Sequence, residues 1–187
     1  MKKQYKLGVI GTGFMAQAIL KGVIYSDSLK PKKIIVSDAS EQALEKVEYL
    51  GVQRTRSNAD VADSCEYLLL AVKPQNFAAV AESIRGIPVE KVITIMAGVT
   101  KKTIKDTLLG VDVKVARAMP NLPCSVGSGM IALDASDFSE NIDDCAFIDS
   151  LFSNCGTVLN LPEEKLNAVT GISGSGPAYV YLFIDGL

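Results

Sequence analysis

The clearest chemical signal in this chain is the segment Gly8-Val9-Ile10-Gly11-Thr12-Gly13-Phe14-Met15-Ala16. It reads G-x-G-x-x-A, placed after a short apolar run and ahead of a helical pattern. Gly11 permits the tight turn. Gly13 lets a pyrophosphate approach the backbone, and the small Ala16 lets helix and strand pack closely. The free N–H groups and the dipole of the following helix then meet phosphate charge. The reading is dinucleotide binding, with a bare structural turn as its alternative. Asp38 follows 22 residues after Ala16, where an acid commonly bonds the adenosine ribose hydroxyls. A carboxylate there repels a 2′-phosphate and by itself favours NAD(H). Ser37, Asn58 and nearby Lys33 or Arg56 offer neutral or cationic donors for a 2′-phosphate, so the cofactor preference stays open. The alternative for Asp38 is an acid at a helix start. Ala71-Val72-Lys73-Pro74 closes the fourth apolar run. Lys73 is held extended before proline, and it is either a cofactor contact or a solvated lysine. Gly98, after the fifth run, suggests close backbone approach to something flat.

Two absences narrow the chemistry. The chain has no His, so a Ser-His-Asp or Cys-His mechanism built from its own residues is excluded. His-ligated zinc is excluded too, and no metal site is expected. Its four cysteines (Cys65, Cys124, Cys145, Cys155) form no C-x-x-C pair and read as reduced and structural.

These residues must be held by regular elements. Apolar strand-like runs at residues 6–10, 34–36, 52–55, 67–72, 92–96 and 113–116 alternate with helical patterns. The helices are expected at 13–25, at 43–50 with Ser40 as N-cap and Gly51 as terminator, from a Ser57–Asp60 capping box, at 77–84 and at 101–109. That alternation implies a parallel sheet with right-handed crossovers. The uninterrupted 67–72 run suits a strand buried on both faces. Beyond Pro120 the texture changes. Strands at 129–133 and 157–161 flank a helix near 143–152, and a helical stretch occupies 163–187, with Pro177 in a first helical turn. The last ten residues are strongly apolar, as in a helix buried all round. The expectation is that the chain is a fragment, or that this helix packs against a missing segment or another subunit. The alternative is a helix folded back on the sheet.

Composition agrees with a folded protein. The 187 residues are 48% hydrophobic and 21% charged, with a net charge of −2. This supports a core and argues against disorder. An acidic balance without a Lys/Arg block argues against a nucleic-acid groove. No apolar run approaches the ~20 residues needed to cross a bilayer. The basic start, Met1-Lys2-Lys3-Gln4-Tyr5-Lys6, leads into a strand and glycine loop rather than a secretory segment, so the expected location is the cytoplasm.

Four stretches carry a family resemblance: Ala71-Val72-Lys73-Pro74-Gln75, Ala97-Gly98-Val99-Thr100, Arg117-Ala118-Met119-Pro120-Asn121-Leu122-Pro123 and Gly171-Ile172-Ser173-Gly174-Ser175-Gly176-Pro177-Ala178-Tyr179. In order and spacing, with the glycine loop, the chain resembles pyrroline-5-carboxylate reductase over essentially its whole length. The resemblance implies a Rossmann-type α/β fold with a doubly wound, mainly parallel sheet over residues 1–161. Residues 162–187 would begin a helical dimerisation domain. It implies that NADPH or NADH reduces the cyclic imine 1-pyrroline-5-carboxylate to L-proline. It places Ile10, Gly11, Thr12, Gly13, Phe14 and Met15 around the pyrophosphate, and Ser37, Asp38 and Asn58 at the adenosine ribose. Ala71, Val72, Lys73 and Pro74, with Ile95, Met96 and Ala97, lie toward the nicotinamide. Met119, Asn121, Ser173, Gly174, Ser175 and Gly176 are the substrate-side candidates, and no residue is assigned as a general acid. Many members carry a small polar residue where Asp38 stands. The family continues into further helices that form an interlocked dimer and supply the loop for the substrate carboxylate. The expectation is therefore a homo-oligomer, and a chain that by itself binds the cofactor without making proline. The rival readings are another imine or β-hydroxyacid reductase and a non-catalytic dinucleotide-binding module.

Overall fold

The computed structural model describes residues 3–108 and 112–187. Eight strands form one sheet in the order β3-β2-β1-β4-β5-β6-β7-β8. They are β1 (Tyr5–Ile10), β2 (Ile34–Ser37), β3 (Gln53–Thr55), β4 (Cys65–Leu70), β5 (Lys91–Thr94), β6 (Lys114–Met119), β7 (Gly129–Asp134) and β8 (Gly156–Asn160). The first six run parallel. β7 is antiparallel to β6, and β8 runs parallel to β7. The order 3-2-1-4-5-6 reverses direction between β1 and β4, the topological switch point at which such sheets bind ligands.

Helices cover both faces, and alternation along each strand decides which face a residue serves. On one face Leu7, Val9, Leu69 and Ile93 pack with α1 (Phe14–Tyr25), α2 (Glu41–Glu45) and α6 (Ile142–Ser153). On the other, Ile10, Leu68, Leu70 and Val92 meet α3 (Asn58–Ser64), α4 (Phe77–Ser83) and α5 (Lys101–Leu108). The expected two-sided burial of the fourth strand is observed.

Several boundaries differ from expectation. The 43–50 helix is two pieces, α2 and a 3₁₀ turn Glu48–Leu50, parted at Val47 (φ −112°, ψ 0°). Ser40 does cap α2, accepting from the Ala43 N–H, and Gly51 ends the segment in the left-handed region at φ 69°. The Ser57–Asp60 capping box is only half made. Ser57 Oγ accepts the Asp60 N–H at 3.1 Å, but the Ser57 N–H goes to Thr55 Oγ1 rather than to Asp60. β4 begins two residues early because Cys65 pairs with Tyr5. β6 runs on to Met119 because β7 pairs with its end. Of the expected 101–109 helix, Leu109 lies outside the described residues, as do Met1 and Lys2 of the basic start. The C-terminal stretch is interrupted: α7 (Leu166–Val169), a π turn (Thr170–Gly174) and α8 (Gly176–Asp185), with Pro177 in the first turn of α8. α8 does not fold back on the sheet; residues 179–184 are all exposed.

Candidate functional site

At the end of β1 the chain turns sharply. Gly11 has φ +96°, and its N–H donates to the Ser37 carbonyl at 2.8 Å. A Cβ there would lie 2.8 Å from the Ala71 carbonyl oxygen, so this glycine is demanded by both dihedral and space. Gly13 is different. Its φ is an ordinary −65°, and a Cβ built on it meets nothing within 4 Å. Gly13 is the N-cap of α1 with no side-chain cap, and the first turn holds no acid. The amino end of a twelve-residue helix is thus left open to an anion. Ala16 is buried where α1 meets the sheet.

A cavity of about 580 Å³ opens at this switch point. It brings together Ile10, Gly11, Gly13, Asp38, Asn58, Ala71, Val72 and Lys73 from four separate segments. Ala39, Asn76, Ala79 and Val80 also line it. The last two escaped notice because their helical spacing reads as core. The other expected cofactor residues are not among those that line the cavity. Thr12 and Ser37 are fully buried. Phe14 is exposed at the start of α1, Met15 packs against the core, and Pro74 opens a 3₁₀ turn. Ile95 donates its N–H to the Leu70 carbonyl at 3.2 Å, and Ala97 is half-buried at the same sheet edge. Met96 is 2% exposed and packs in the core, so only its backbone can face a ligand.

Asp38 faces the glycine loop. Its Oδ2 accepts from the Thr12 N–H at 2.8 Å and Thr12 Oγ1 at 3.2 Å, while Oδ1 accepts the Ser40 N–H at 2.9 Å. The carboxylate therefore lines the cavity and also anchors the loop. Beside it Ser37 donates to Asn58 Oδ1 at 2.7 Å, and Asn58 Nδ2 donates to Ser83 Oγ at 2.9 Å. That chain fixes the Asn58 amide. Lys33 is not brought here: it reaches the Gln4 carbonyl near the opposite end of β2. Arg56 follows Thr55, the register partner of Ser37, so its backbone stands beside Asp38 at the carboxyl edge, and it borders a second depression with Glu41 and Arg54.

The carboxyl end of β6 meets the C-terminal helical segment. A Cβ on Gly174 would lie 3.0 Å from Met119 Cε, so glycine admits this close contact. Asn121 Nδ2 donates to Ser173 Oγ at 3.1 Å, and Asn121 Oδ1 accepts the Met130 N–H at 3.0 Å. Four of the substrate-side candidates thus meet. Ser175 instead turns to the Thr170 carbonyl, and Gly176 begins α8 with open space beside it.

Buried charge secures this junction, and none of it was visible in sequence spacing. Arg117, 2% exposed, donates to Glu163 at 3.3 Å and Asn167 at 3.0 Å. Glu163 also accepts the Lys101 N–H at 2.7 Å. The Lys101 ammonium lies 3.1 Å from Asp134 and 2.7 Å from Asp137. Burial lowers the pKa of Lys101, but the hydrogen bonds it donates to Asp137 and Asp134, with their charges, outweigh it and the net shift is upward. Burial raises Asp134 and Asp137, yet Ser136 and Lys101 hold the first, and Lys101 and Lys105 the second, below the usual carboxylate range. The cysteines carry none of this charge: all four are free thiols, Cys124 Sγ lies 3.8 Å from Asn121 Oδ1, and burial pushes Cys65 up to about 12 and Cys155 up to about 11.

The chain has relatives among known proteins. Residues 6–98 match the family model described as NADP oxidoreductase coenzyme F420-dependent. Residues 163–187 match the one described as pyrroline-5-carboxylate reductase dimerisation. A pyrroline-5-carboxylate reductase of Synechocystis is 41% identical over 186 residues, covering 97% of this chain and 68% of the relative. The solved structure of a pyrroline-5-carboxylate reductase from Coxiella burnetii superposes with a TM-score of 0.87 at 32% identity, covering 99% of this chain and 69% of that one. The Plasmodium falciparum pyrroline carboxylate reductase, solved with NADP bound, gives 0.84 at 29% identity, with 100% and 69% covered. The chain spans about two thirds of the length of these relatives. An imine reductase from Myxococcus stipitatus, at 14% identity and a TM-score of 0.66, shares the fold.

Proposed function

Since the chain belongs to the pyrroline-5-carboxylate reductase family, we propose that its switch-point cavity holds the reduced nicotinamide cofactor and that the β6–helix junction faces the substrate. The reaction is NAD(P)H-dependent reduction of 1-pyrroline-5-carboxylate to L-proline. The observation that carries the site assignment is the open amino end of α1 beside Gly13, which fits a pyrophosphate. The residue roles follow from position. Gly11 sets the turn, and Gly13 with Phe14 and Met15 offers backbone N–H groups to the phosphates. Asp38 and Asn58 face the adenosine ribose, and the Asp38 charge tilts the balance toward an unphosphorylated ribose. Lys73 and the 95–97 segment stand over the middle and nicotinamide end.

The cofactor supplies a hydride when bound. The protein's task is orientation: a protonated imine already attracts hydride, and alignment of two bound partners contributes several kcal/mol without an acid side chain. Met119, Asn121 and Ser173 supply one wall for that alignment. Residues 1–161 then form the dinucleotide-binding unit, and residues 162–187 open the helical unit through which copies associate. No helix among the described residues is long and apolar enough to cross a membrane, in keeping with a cytoplasmic reductase. The test is NADH or NADPH oxidation with 1-pyrroline-5-carboxylate, with proline identified as product. Cofactor binding without proline formation would favour a binding module instead.

A further inference from the structure

Within the π turn and its flanks, three hydroxyls have different fates. Thr170 Oγ1 donates to the Leu166 carbonyl at 2.9 Å, and Ser175 Oγ donates to the Thr170 carbonyl at 3.1 Å. Both protons are spent on the helix itself. Ser173 Oγ instead meets Asn121 at 3.1 Å. The direction of that bond is set from the other end of the amide. Asn121 Oδ1 must accept the Met130 N–H at 3.0 Å, so the amide turns its N–H toward Ser173 and the hydroxyl oxygen accepts. The Ser173 proton then points elsewhere and has no acceptor among the described residues.

We propose that Ser173 is a positioning donor: its hydroxyl, oriented by Asn121, gives a hydrogen bond to an sp² oxygen of a ligand along the carboxyl edge of the sheet. The inference rests on the reading of the cavity as a dinucleotide site. Two ligand groups have this chemistry, the nicotinamide carboxamide and the imino-acid carboxylate. β6 stands three strand spacings from β1, about 14 Å, which places Ser173 at the far end of a dinucleotide whose pyrophosphate sits at Gly13. Ser173 is half-buried, so a ligand there shields the bond from water. Its neighbour Gly174 is closed off by Met119.

Two variants and one control test it. Ser173→Ala removes the donor. Asn121→Asp keeps an acceptor for the Met130 N–H but presents a second acceptor to Ser173, drawing the hydroxyl inward. Each is expected to weaken the ligand about tenfold, the size of one hydrogen bond. The double variant is expected to be no worse than Asn121→Asp alone. Thr170→Val, whose hydroxyl serves the Leu166 carbonyl, should leave affinity unchanged. Fluorescence titration with NADH and steady-state KM for the imine in the intact enzyme distinguish the ligand groups. A tenfold weaker NADH dissociation constant assigns the carboxamide; an unchanged one with a tenfold higher KM assigns the carboxylate. Unchanged values in Ser173→Ala, additive losses in the double variant, or an equal loss in Thr170→Val would overturn the proposal. If Asn121→Asp does not fold, Ser173→Ala against Thr170→Val decides. A wild-type protein that binds no reduced dinucleotide overturns the underlying reading and this inference with it.

Discussion

Residues 67–70 in β4 and residues 179–184 in α8 are both short runs of aromatic and aliphatic side chains. In β4 Tyr67, Leu68, Leu69 and Leu70 are all 0% exposed, flanked by β1 and β5 and covered by helices on each face. In α8 the same types are 55–72% exposed. The strand is buried because it lies inside the parallel sheet between two helical layers. The helix meets its own chain mainly through the π turn, where Tyr179 Oη donates to the Gly171 carbonyl. An apolar run therefore predicts that burial is sought, not which chain supplies it. The match of residues 163–187 to the model described as pyrroline-5-carboxylate reductase dimerisation supports the proposal that the exposed run is an association surface.

The largest expected effect separates the two runs by stability. Leu69→Ala leaves a cavity between packed layers and should cost about 3–4 kcal/mol. Leu182→Ala on the exposed helix should cost under about 0.5 kcal/mol in the monomer. Urea midpoints at low protein concentration check both, and equal losses would break the contrast.

The joint between the two regions comes next. Lys101→Met leaves Asp134 and Asp137 buried without their shared cation and should cost about 3 kcal/mol. The pH dependence has a definite sign. The two carboxyls lie below their unfolded value, so their contribution is present above about pH 4 and is lost as pH falls through the folded values. The Lys101 contribution is present below its unfolded pKa and is lost as pH rises through the raised folded value. Removing Lys101 should flatten the acid limb, which denaturation at pH 3–7 would show.

Gly13→Val comes third and isolates the ligand from the fold. A Cβ at Gly13 meets no protein atom, so stability should hold. The isopropyl group fills the pyrophosphate's approach, and NADH affinity should fall about 100-fold, near 2.7 kcal/mol. The same titration on an unfolded variant would be uninformative, so thermal midpoints accompany it. A loss of stability with affinity retained would reverse the roles of Gly11 and Gly13.

These contrasts show where sequence reasoning succeeds. The glycine loop was legible because turn chemistry is local: a left-handed Gly11 and an uncapped helix start leave marks within nine residues. The parallel core was legible because strand and helix alternate. The Lys101–Asp134–Asp137 cluster was not, because its members come from α5 and from β7 and the turn beyond it, far apart in sequence. The Ser37–Asn58–Ser83 chain was hidden for the same reason. The helix over 43–50 failed because Val47 leaves helical dihedrals, which residue spacing does not register. The π turn has no pattern of its own, since i→i+5 bonding differs from α by one residue.

The exposed run provides the fourth prediction. Phe183→Asp places a charge in the α8 surface and should weaken self-association at least tenfold, about 1.4 kcal/mol or more, through lost apolar burial and an unpaired charge. Sedimentation across a concentration series measures it, with unfolding of the monomer unaltered. A variant as associated as the wild type would mean that α8 is not the contact.

The smallest expected effect is at Asp38, and it concerns discrimination rather than affinity. The Asp38 carboxylate lines the cavity, Lys33 lies near the opposite end of β2, and Arg56 follows the register partner of Ser37. A 2′-phosphate placed near Asp38 meets its negative charge. Asp38→Ser removes the repulsion but adds no cation, so the gain for NADPH is bounded: about tenfold in the ratio of NADPH to NADH dissociation constants, or 1.4 kcal/mol. Loss of the acceptor for the Thr12 N–H loosens the loop for both cofactors alike, and the ratio cancels that common part. Salt separates the two contributions. Repulsion between charges is screened over a Debye length of about 10 Å at 0.1 M and about 3 Å at 1 M. The wild-type ratio of NADPH to NADH dissociation constants should therefore fall as salt rises, while the ratio for Asp38→Ser stays nearly flat. A ratio that moves with neither substitution nor salt would leave Asp38 as the anchor of the glycine loop alone, holding Thr12 and Ser40 without facing the ribose.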